Sequence, residues 1–130
     1  MVKIIHSSGK RKEAMAKATI SKGTGKVKIN NQLLDNYGHE IIVMKIKEPI
    51  ILANNPKDID INVRVSGGGW SAQADAVRLA IARCLVEYNK NLKKTFLEYD
   101  RNLLVADTRW KETCKPNDSK ARAKRQKSYR

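Results

Sequence analysis

The strongest chemical signal in this 130-residue sequence lies in its last twelve residues. Residues 119–130 carry six basic side chains, no acidic one, and a single aromatic residue, Tyr129. Arginine can hold a phosphate through two parallel N–H bonds, lysine adds an adaptable point charge, and tyrosine can stack on an unpaired base. Fully extended, the segment would reach on the order of 40 Å. It therefore predicts an RNA-binding tail with contacts from Lys120, Arg122, Lys124 and Arg125.

A polybasic tail can also be simply solvated, or it can anchor a protein to an acidic membrane. No lipidation signal or apolar amphipathic face accompanies this tail, so RNA is favoured and no membrane partner is predicted. No apolar run approaches the ~20 residues of a transmembrane helix, and the N-terminus is too short and polar for a secretory signal. Cys84 and Cys114 are predicted to be free thiols in a reducing cytoplasm.

A second basic cluster lies near the N-terminus, where Lys10, Arg11 and Lys12 follow one another in a predicted loop over residues 7–12. Further lysines recur along the predicted hairpin that follows. Isolated lysines on a sheet edge usually only prevent aggregation. Their concentration in one short region favours phosphate contact instead.

The net charge of +14 is concentrated at the two ends of the chain. Residues 1–28 hold eight basic side chains against Glu13 alone, a net of +7, and residues 119–130 add +6. Residues 29–110 carry a net of only +1, and residues 111–118 are neutral. Such a charge predicts a polyanionic partner, and its placement is typical of dedicated docking surfaces rather than of general solubility.

Three consecutive glycines, Gly67, Gly68 and Gly69, stand between a predicted strand and a predicted helix. With Ala72 they satisfy the dinucleotide-binding pattern G-x-G-x-x-G/A, which leaves a nucleotide-binding enzyme as an alternative function. That pattern also needs an acidic residue at the end of a second parallel strand. Glu87 has about that spacing but lies within the predicted helix. A tight strand-to-helix turn is the favoured interpretation, and an RNA phosphate could approach the same helix end.

Other catalytic or metal-binding arrangements have little support in the sequence. His6 and His39 are the only histidines, and neither has a partner at ligand spacing. The carboxylates are scattered without an obvious general acid/base pair. We therefore predict no catalytic residue, no metal and no cofactor.

The spacing of apolar residues predicts the elements that hold these groups in place. Alternation indicates strands over 14–20 and 59–65. Residues 2–6 are a candidate first strand. Residues 14–30 are predicted as a β-hairpin that turns at 22–25 and ends in a second turn at Asn30-Asn31.

Helical spacing predicts a long helix from an N-cap at Ser71 to about Tyr88, and a shorter helix over 92–99. A helix within 39–54 is predicted to stop or kink just before Pro49, with a further turn after it left open, although its β-branched residues would also suit a strand. The order β-β-β-α-β-α predicts an α+β fold with helices on one face of a mainly antiparallel sheet. Residues 1–110 are predicted to form the body and residues 111–130 an extended basic tail.

Several motifs, in order along the whole chain, resemble the universal small-subunit ribosomal protein nine family. They are Gly9-Lys10-Arg11-Lys12-Glu13-Ala14, Gly25-Lys26-Val27-Lys28-Ile29-Asn30, Gly67-Gly68-Gly69 with Gln73-Ala74, Arg78-Leu79-Ala80-Ile81-Ala82-Arg83, Tyr99-Asp100-Arg101 and Leu103-Leu104. The ending Gln126-Lys127-Ser128-Tyr129-Arg130 is similar to the archaeal and eukaryotic type, and the compact length to archaeal members.

The resemblance implies a structural constituent of the small ribosomal subunit with a split β-α-β body, of the type of ribosomal protein S five domain two. It implies a body on small-subunit ribosomal RNA in the head, beside neighbouring head proteins, and a tail directed towards peptidyl-site transfer RNA. Lys127, Ser128, Tyr129 and Arg130 would lie nearest that transfer RNA. Two positions depart from the family: Ala72 stands where glycine is frequent, and Trp110 where a basic residue commonly follows Arg109. At Trp110 a phosphate contact is either missing or replaced by stacking or by packing against the body.

Overall fold

The computed structural model describes residues 4–116 and residue 121, and the chain folds as two layers, a five-stranded sheet and three α-helices. The α+β class and the mainly antiparallel sheet are confirmed. The strands are β1 (Ile5–Arg11), β2 (Ala14–Lys22), β3 (Val27–Ile29), β4 (Gln32–Leu33) and β5 (Ile59–Ser66). The helices are α1 (Glu40–Leu52), α2 (Trp70–Tyr88) and α3 (Leu92–Tyr99), with short 3-10 turns at Leu34–Asn36 and Arg101–Leu103. Strand β4 is additional to the predicted elements, and α3 corresponds to the predicted helix over 92–99.

The sheet order is β1-β2-β5-β3-β4, and β3 with β5 is its parallel pair. The predicted hairpin of β2 with β3 is therefore wrong, because β5 lies between these two strands. Apolar alternation reports which face of a strand is buried and carries no information about its neighbour. The backbone N–H of Ile61 donates to the carbonyl of Lys26 at 2.9 Å, which joins β3 to β5.

The true hairpins are β1–β2 and β3–β4. The first contradicts the predicted loop over 7–12, because β1 continues to Arg11. Strand β1 lacks apolar alternation because Gly9 takes an inward position: a Cβ there would lie 2.2 Å from the carbonyl oxygen of Ala76 in α2. The predicted turn at Asn30-Asn31 is confirmed, since both residues have positive φ, as a two-residue hairpin turn requires.

The predicted start of α2 is wrong, and α1 has the further turn after Pro49 that the prediction left open. Helix α1 does not stop at Pro49 but continues through it to Leu52. The proline lies in the last turn, so little helix follows the missing N–H, and its ring is buried in the core. Helix α2 begins at Trp70, which makes Gly69 its N-cap instead of Ser71. The end at Tyr88 and the helix over 92–99 are confirmed.

The core lies between the sheet and α2. Three of the four inward residues of β2 are small, Ala14, Ala16 and Ala18, so α2 can approach β1 and β2 closely. The inward residues of β5 are branched and buried: Ile59, Ile61, Val63 and Val65. Burial raises the pKa of the Cys84 thiol of α2 to about 12, and its Sγ faces the carbonyl of Ala18 at 3.4 Å. The helices cover one face of the sheet, and the other face remains open to solvent.

Candidate nucleic-acid interface

Two regions that are far apart in the sequence meet at one edge of the body. The β1–β2 turn, the glycine turn 67–69 and the segment 109–111 surround a cleft of about 570 Å³. We call it the turn cleft, and its lining is Arg11, Lys12, Glu13, Gly68, Gly69, Ala72, Arg109, Trp110 and Lys111. The predicted basic cluster and the predicted phosphate-approach turn thus share one surface. Arg109 and Lys111 lie there too, although the sequence offered no pattern that singled them out.

The first two glycines are explained by contacts within the chain. Gly67 and Gly68 have φ values of +75° and +63°, which disfavour other residues. A Cβ on Gly67 would lie 2.6 Å from the carbonyl oxygen of Glu13, and one on Gly68 would lie 3.0 Å from the backbone nitrogen of Ala14. These glycines allow the strand-to-helix turn to approach the β1–β2 turn, whatever ligand is present.

Gly69 differs from its two neighbours. A Cβ built on it meets no atom within 4 Å, so its surroundings are open, and it lies at the start of α2. No strand follows α2 in the described residues up to 116, and Glu87 lies within α2. The two-strand frame of a dinucleotide site is therefore missing from the described part of the chain.

The basic cluster divides into two roles. The Arg11 side chain is only 16% exposed, and its guanidinium contacts the Asp107 carboxylate at 2.7 Å and the Asp75 carboxylate at 3.8 Å. Lys10 and Lys12 are exposed. Lys12 has a φ of 52° and forms the corner of the β1–β2 turn. Arg11 thus holds the body together beside the cleft, while the two lysines present their charge to solvent.

The Arg11–Asp107 contact continues to Arg109, whose side chain is largely exposed. The Arg109 guanidinium donates to both Asp107 oxygens, with the shortest contact at 2.7 Å. Hydrogen bonds from the Arg109 side chain and backbone hold the pKa of the Asp107 carboxyl well below its usual range. One carboxylate therefore connects β1 to the segment that leads out of the body.

Trp110 does not pack into the body. Its side chain is 55% exposed, and the Nζ of Lys10 lies 4.5 Å from the centre of its ring. This is a cation–π distance, so one part of the indole meets a lysine while the rest faces solvent. Three possibilities were open for Trp110: a missing phosphate contact, stacking, or packing against the body. The described contacts do not show packing against the body.

The open face of the sheet carries a second group of basic side chains. Lys17, Lys28 and Arg64 point away from the helices and surround a concavity of about 800 Å³. Arg64 was not predicted as a site residue. The period-2 pattern that buried its neighbours Val63 and Val65 also placed Arg64 on the opposite face, so the signal was present.

Lys120, Arg122, Lys124, Arg125, Lys127, Ser128, Tyr129 and Arg130 lie outside the described residues. Within residues 4–116, no group of three or more His, Cys, Asp or Glu residues is placed to hold a metal ion. In the same range no helix is both long enough and apolar enough to cross a bilayer.

Fold and charge together define a class: a small, two-layer α+β protein with a near-neutral middle, basic ends, and a basic cleft where strand turns meet a helix start. The chain belongs to the family described as ribosomal protein S9/S16, whose model matches residues 9–130. The chain is 46% identical, over 134 aligned residues, to small ribosomal subunit protein uS9 from Methanococcus maripaludis strain C5, an archaeon. That alignment covers 99% of this chain and all of the relative, and the uS9 proteins of strains S2 and C7 match equally well. The family and its archaeal type, expected from the motifs, are confirmed.

Proposed function

We propose that this protein is a structural constituent of the small ribosomal subunit that binds ribosomal RNA in the subunit head. The observation that carries the proposal is the extent of the family match, which runs from the basic cluster at residue 9 to the last residue of the tail. The relatives are named small ribosomal subunit proteins, and the alignment covers their full length. The charges of the chain favour the same partner, because +13 of the net +14 lies in residues 1–28 and 119–130.

The turn cleft supplies one proposed contact with ribosomal RNA. Lys10 and Lys12 are exposed cations on β1 and at its turn, and Gly69 leaves open space at the start of α2. A phosphate beside Gly69 would meet backbone N–H groups and the positive end of the helix dipole. Gly67 and Gly68 shape this turn. Arg11 contributes least to affinity, because two carboxylates already offset its charge.

The tail supplies the second proposed contact. In this proposal residues 1–110 are the body, and residues 111–130 form an extended basic tail. Its first basic residues follow ribosomal RNA, and the last four are directed towards peptidyl-site transfer RNA. These groups are Lys120, Arg122, Lys124 and Arg125, followed by Lys127, Ser128, Tyr129 and Arg130.

The wider setting follows from the same proposal. The protein acts in the cytoplasm within the small subunit, beside other head proteins and without a catalytic role or cofactor. The body is assigned to the split β-α-β type of ribosomal protein S five domain two. The support for that assignment is a two-layer body in which α1 leads from the β3–β4 hairpin to β5, the parallel neighbour of β3.

The salt dependence of RNA binding tests the role of the tail. If the tail neutralises about five phosphates, the logarithm of affinity should fall against the logarithm of salt with a slope of roughly −3.5 to −4.5 from the tail alone. Deletion of residues 119–130 should remove that contribution and leave the thermal unfolding temperature of the body nearly unchanged. A full-length variant with glutamine at the six basic tail positions should behave like the deletion, because charge and not length is responsible.

Assembly tests the role in the subunit. The tagged full chain, expressed in an archaeal cell related to the Methanococcus source of its relatives, should sediment with small subunits at low magnesium. A chain that stays at the top of the gradient would contradict the proposal. An unchanged salt slope after the tail deletion would contradict only the assignment of the tail.

A further inference from the structure

The open face of the sheet has the composition of an anion-binding surface. Its central residues form two rows across neighbouring strands. One row is His6, Thr19, Asn62 and Lys28, and the other is Ser8, Lys17 and Arg64. Every side chain in both rows can form a hydrogen bond, and three of them are permanent cations. The rows border a concavity of about 800 Å³ that no helix within residues 4–116 covers.

Two of these cations face each other directly. In the antiparallel register of β2 and β5, Lys17 is the partner of Arg64. Like charges directly opposite on one face of a sheet destabilise it. Neither side chain forms an ion pair with another residue in the described part of the chain. The fold therefore retains a repulsive pair that an anion between the two side chains would relieve.

The face carries one carboxylate, Asp60, which forms no ion pair with Lys17, Lys28 or Arg64 in the described residues. Asp60 is the one acidic residue within β1, β2, β3 and β5, and it lies towards the far end of β5. Its oxygen Oδ1 already accepts hydrogen bonds from the backbone N–H groups of Thr24 and Lys26, at 2.8 and 2.9 Å. These bonds lower the pKa of the Asp60 carboxyl and keep it occupied with the turn after β2.

The helix side of the molecule is different. Its cations at Arg11, Lys45, Lys47 and Arg78 each contact a carboxylate within the body. Folding thus pairs these four cations with carboxylates, whereas Lys17, Lys28 and Arg64 of the open face have no carboxylate partner in the described residues. A face used only for solubility would gain stability from an acidic partner at position 17 or 64, as surfaces with mixed charges do.

We propose that the open face, centred on Lys17, Arg64 and Lys28, is a third RNA-binding surface that is separate from the turn cleft and the tail. Its ligand is a sugar-phosphate backbone, with a phosphate between Lys17 and Arg64. Thr19, Asn62 and His6 can form hydrogen bonds to the neighbouring sugar and phosphate oxygens. The inference deepens the proposed function, because it rests on RNA as the partner and adds a surface that the family resemblance did not indicate.

The test is a double variant, Lys17→Thr with Arg64→Thr, in the full chain. Threonine removes both charges and suits a strand, so the fold should keep or gain stability, with a thermal unfolding temperature higher by roughly 1–4 °C. Loss of two phosphate contacts should flatten the salt slope of RNA binding by roughly 1.4–1.8. The affinity at 50 mM salt should fall roughly tenfold for each side chain removed.

The matched control removes the same charge elsewhere. Lys90→Gln with Lys93→Gln takes two exposed lysines from the α3 end of the body. This control should change the slope by less than about 0.5, since these lysines lie outside the turn cleft, the tail and the open face. The exchange variant Lys17→Arg with Arg64→Lys keeps both charges and should retain binding.

The probes are a fluorescein-labelled 20-nucleotide oligouridylate, a 20-base-pair RNA duplex and an oligoglutamate of equal charge. Equal losses in the threonine variant and the lysine control would overturn this inference and leave the proposed function intact. Failure of the unmodified chain to bind either RNA would overturn both. A loss confined to oligoglutamate would overturn the inference in favour of an acidic protein partner, and a loss of RNA binding by the exchange variant would overturn the role of charge at this face.

Discussion

The two layers of the molecule carry their cations in opposite ways. On the helix side, Arg78 lies only 12% exposed between two carboxylates, with its Nη2 at 2.5 Å from Glu48 and 3.0 Å from Asp100. On the open sheet face, Lys17 and Arg64 are exposed and face each other. This difference shows that the number of basic residues in a region does not indicate how much positive charge is available to a ligand.

Partly buried cations need counter-charges because a desolvated charge is costly unless it is paired. Exposed cations are screened by water, so the cost of leaving them unpaired is small. The first kind is therefore expected to serve stability and the second kind binding. Substitutions at both kinds of cation, and at the turn where the two layers meet, test this division.

The largest effect is expected from Arg78→Ala. It leaves Glu48 and Asp100 without their shared cation, and we expect a loss of about 2–3 kcal/mol in the free energy of unfolding. Urea denaturation measures this. Arg64→Ala removes the same side chain from the open face and should change stability by less than about 0.5 kcal/mol. Equal losses in the two variants would break the comparison between the layers.

The next effect concerns the glycine turn, where the layers meet. Gly67→Ala combines a positive φ with a contact of 2.6 Å to the Glu13 carbonyl oxygen, and should cost about 1–3 kcal/mol. Gly69→Ala meets nothing within 4 Å and should cost less than about 0.5 kcal/mol. Thermal unfolding of both variants decides the matter. A larger loss from Gly69→Ala would contradict the structural role of Gly67.

A smaller effect is expected at Asp107, where Arg109 lowers the pKa of the carboxyl below its ordinary value of 3.8. Because the Asp107 carboxyl binds a proton less readily in the folded state, its ionised form stabilises the fold at pH values above 3.8. This stabilisation is lost as the pH falls through the pKa of Asp107 in the folded state. Arg109→Ala should raise the pKa of Asp107 and weaken this acid dependence. A ¹³C carboxyl titration measures the shift.

The same titration contains its own control. The pKa of Asp60 is lowered by the backbone N–H groups of Lys26 and Thr24, which Arg109→Ala leaves in place. The Asp60 signal should therefore titrate unchanged. If both carboxyls moved together, the net charge of the protein and not the Arg109 contact would be responsible.

The smallest effect should be a gain. Lys17→Glu converts the repulsive pair with Arg64 into an attractive one, and we expect the free energy of unfolding to rise by roughly 0.5–1 kcal/mol at low salt. Lys17→Gln should give about half of that gain. The increase should shrink in 1 M salt because screening weakens both attraction and repulsion. A decrease in stability would show that the methylene groups of Lys17 pack on the sheet and stabilise it.

Much of the fold was predictable where side chains alternate strongly. Strand β5, the inward alanines of β2 and the apolar stripe of α2 follow from local periodicity, and the structure confirms them. Strand β1 was not predictable beyond its start, because Gly9 replaces an apolar residue where α2 comes close. The need for glycine at position 9 comes from Ala76, which is 67 residues away in the chain, so no local sequence pattern indicates it.

The candidate site was predictable in its residue types and less so in its geometry. The sequence singled out Lys10, Lys12 and the glycine turn. It did not indicate that Lys12 and the glycine turn meet Arg109 and Trp110 in one cleft, or that Lys10 contacts the Trp110 ring. It placed Arg11 with the RNA contacts, whereas the structure shows it paired with Asp107. The local spacing of residues does not indicate a contact between two residues that are far apart in the chain.

The sequence by itself determined where charge is concentrated, which faces of β2, β5 and α2 are apolar, and that the middle of the chain is near neutral. These properties depend on composition and on short-range periodicity. Only the tertiary structure decided that β5 inserts between β2 and β3, and which cations meet a carboxylate and which meet another cation. Neutralisation and strand neighbourhood depend on residues far apart in the chain, and only folding brings those residues together.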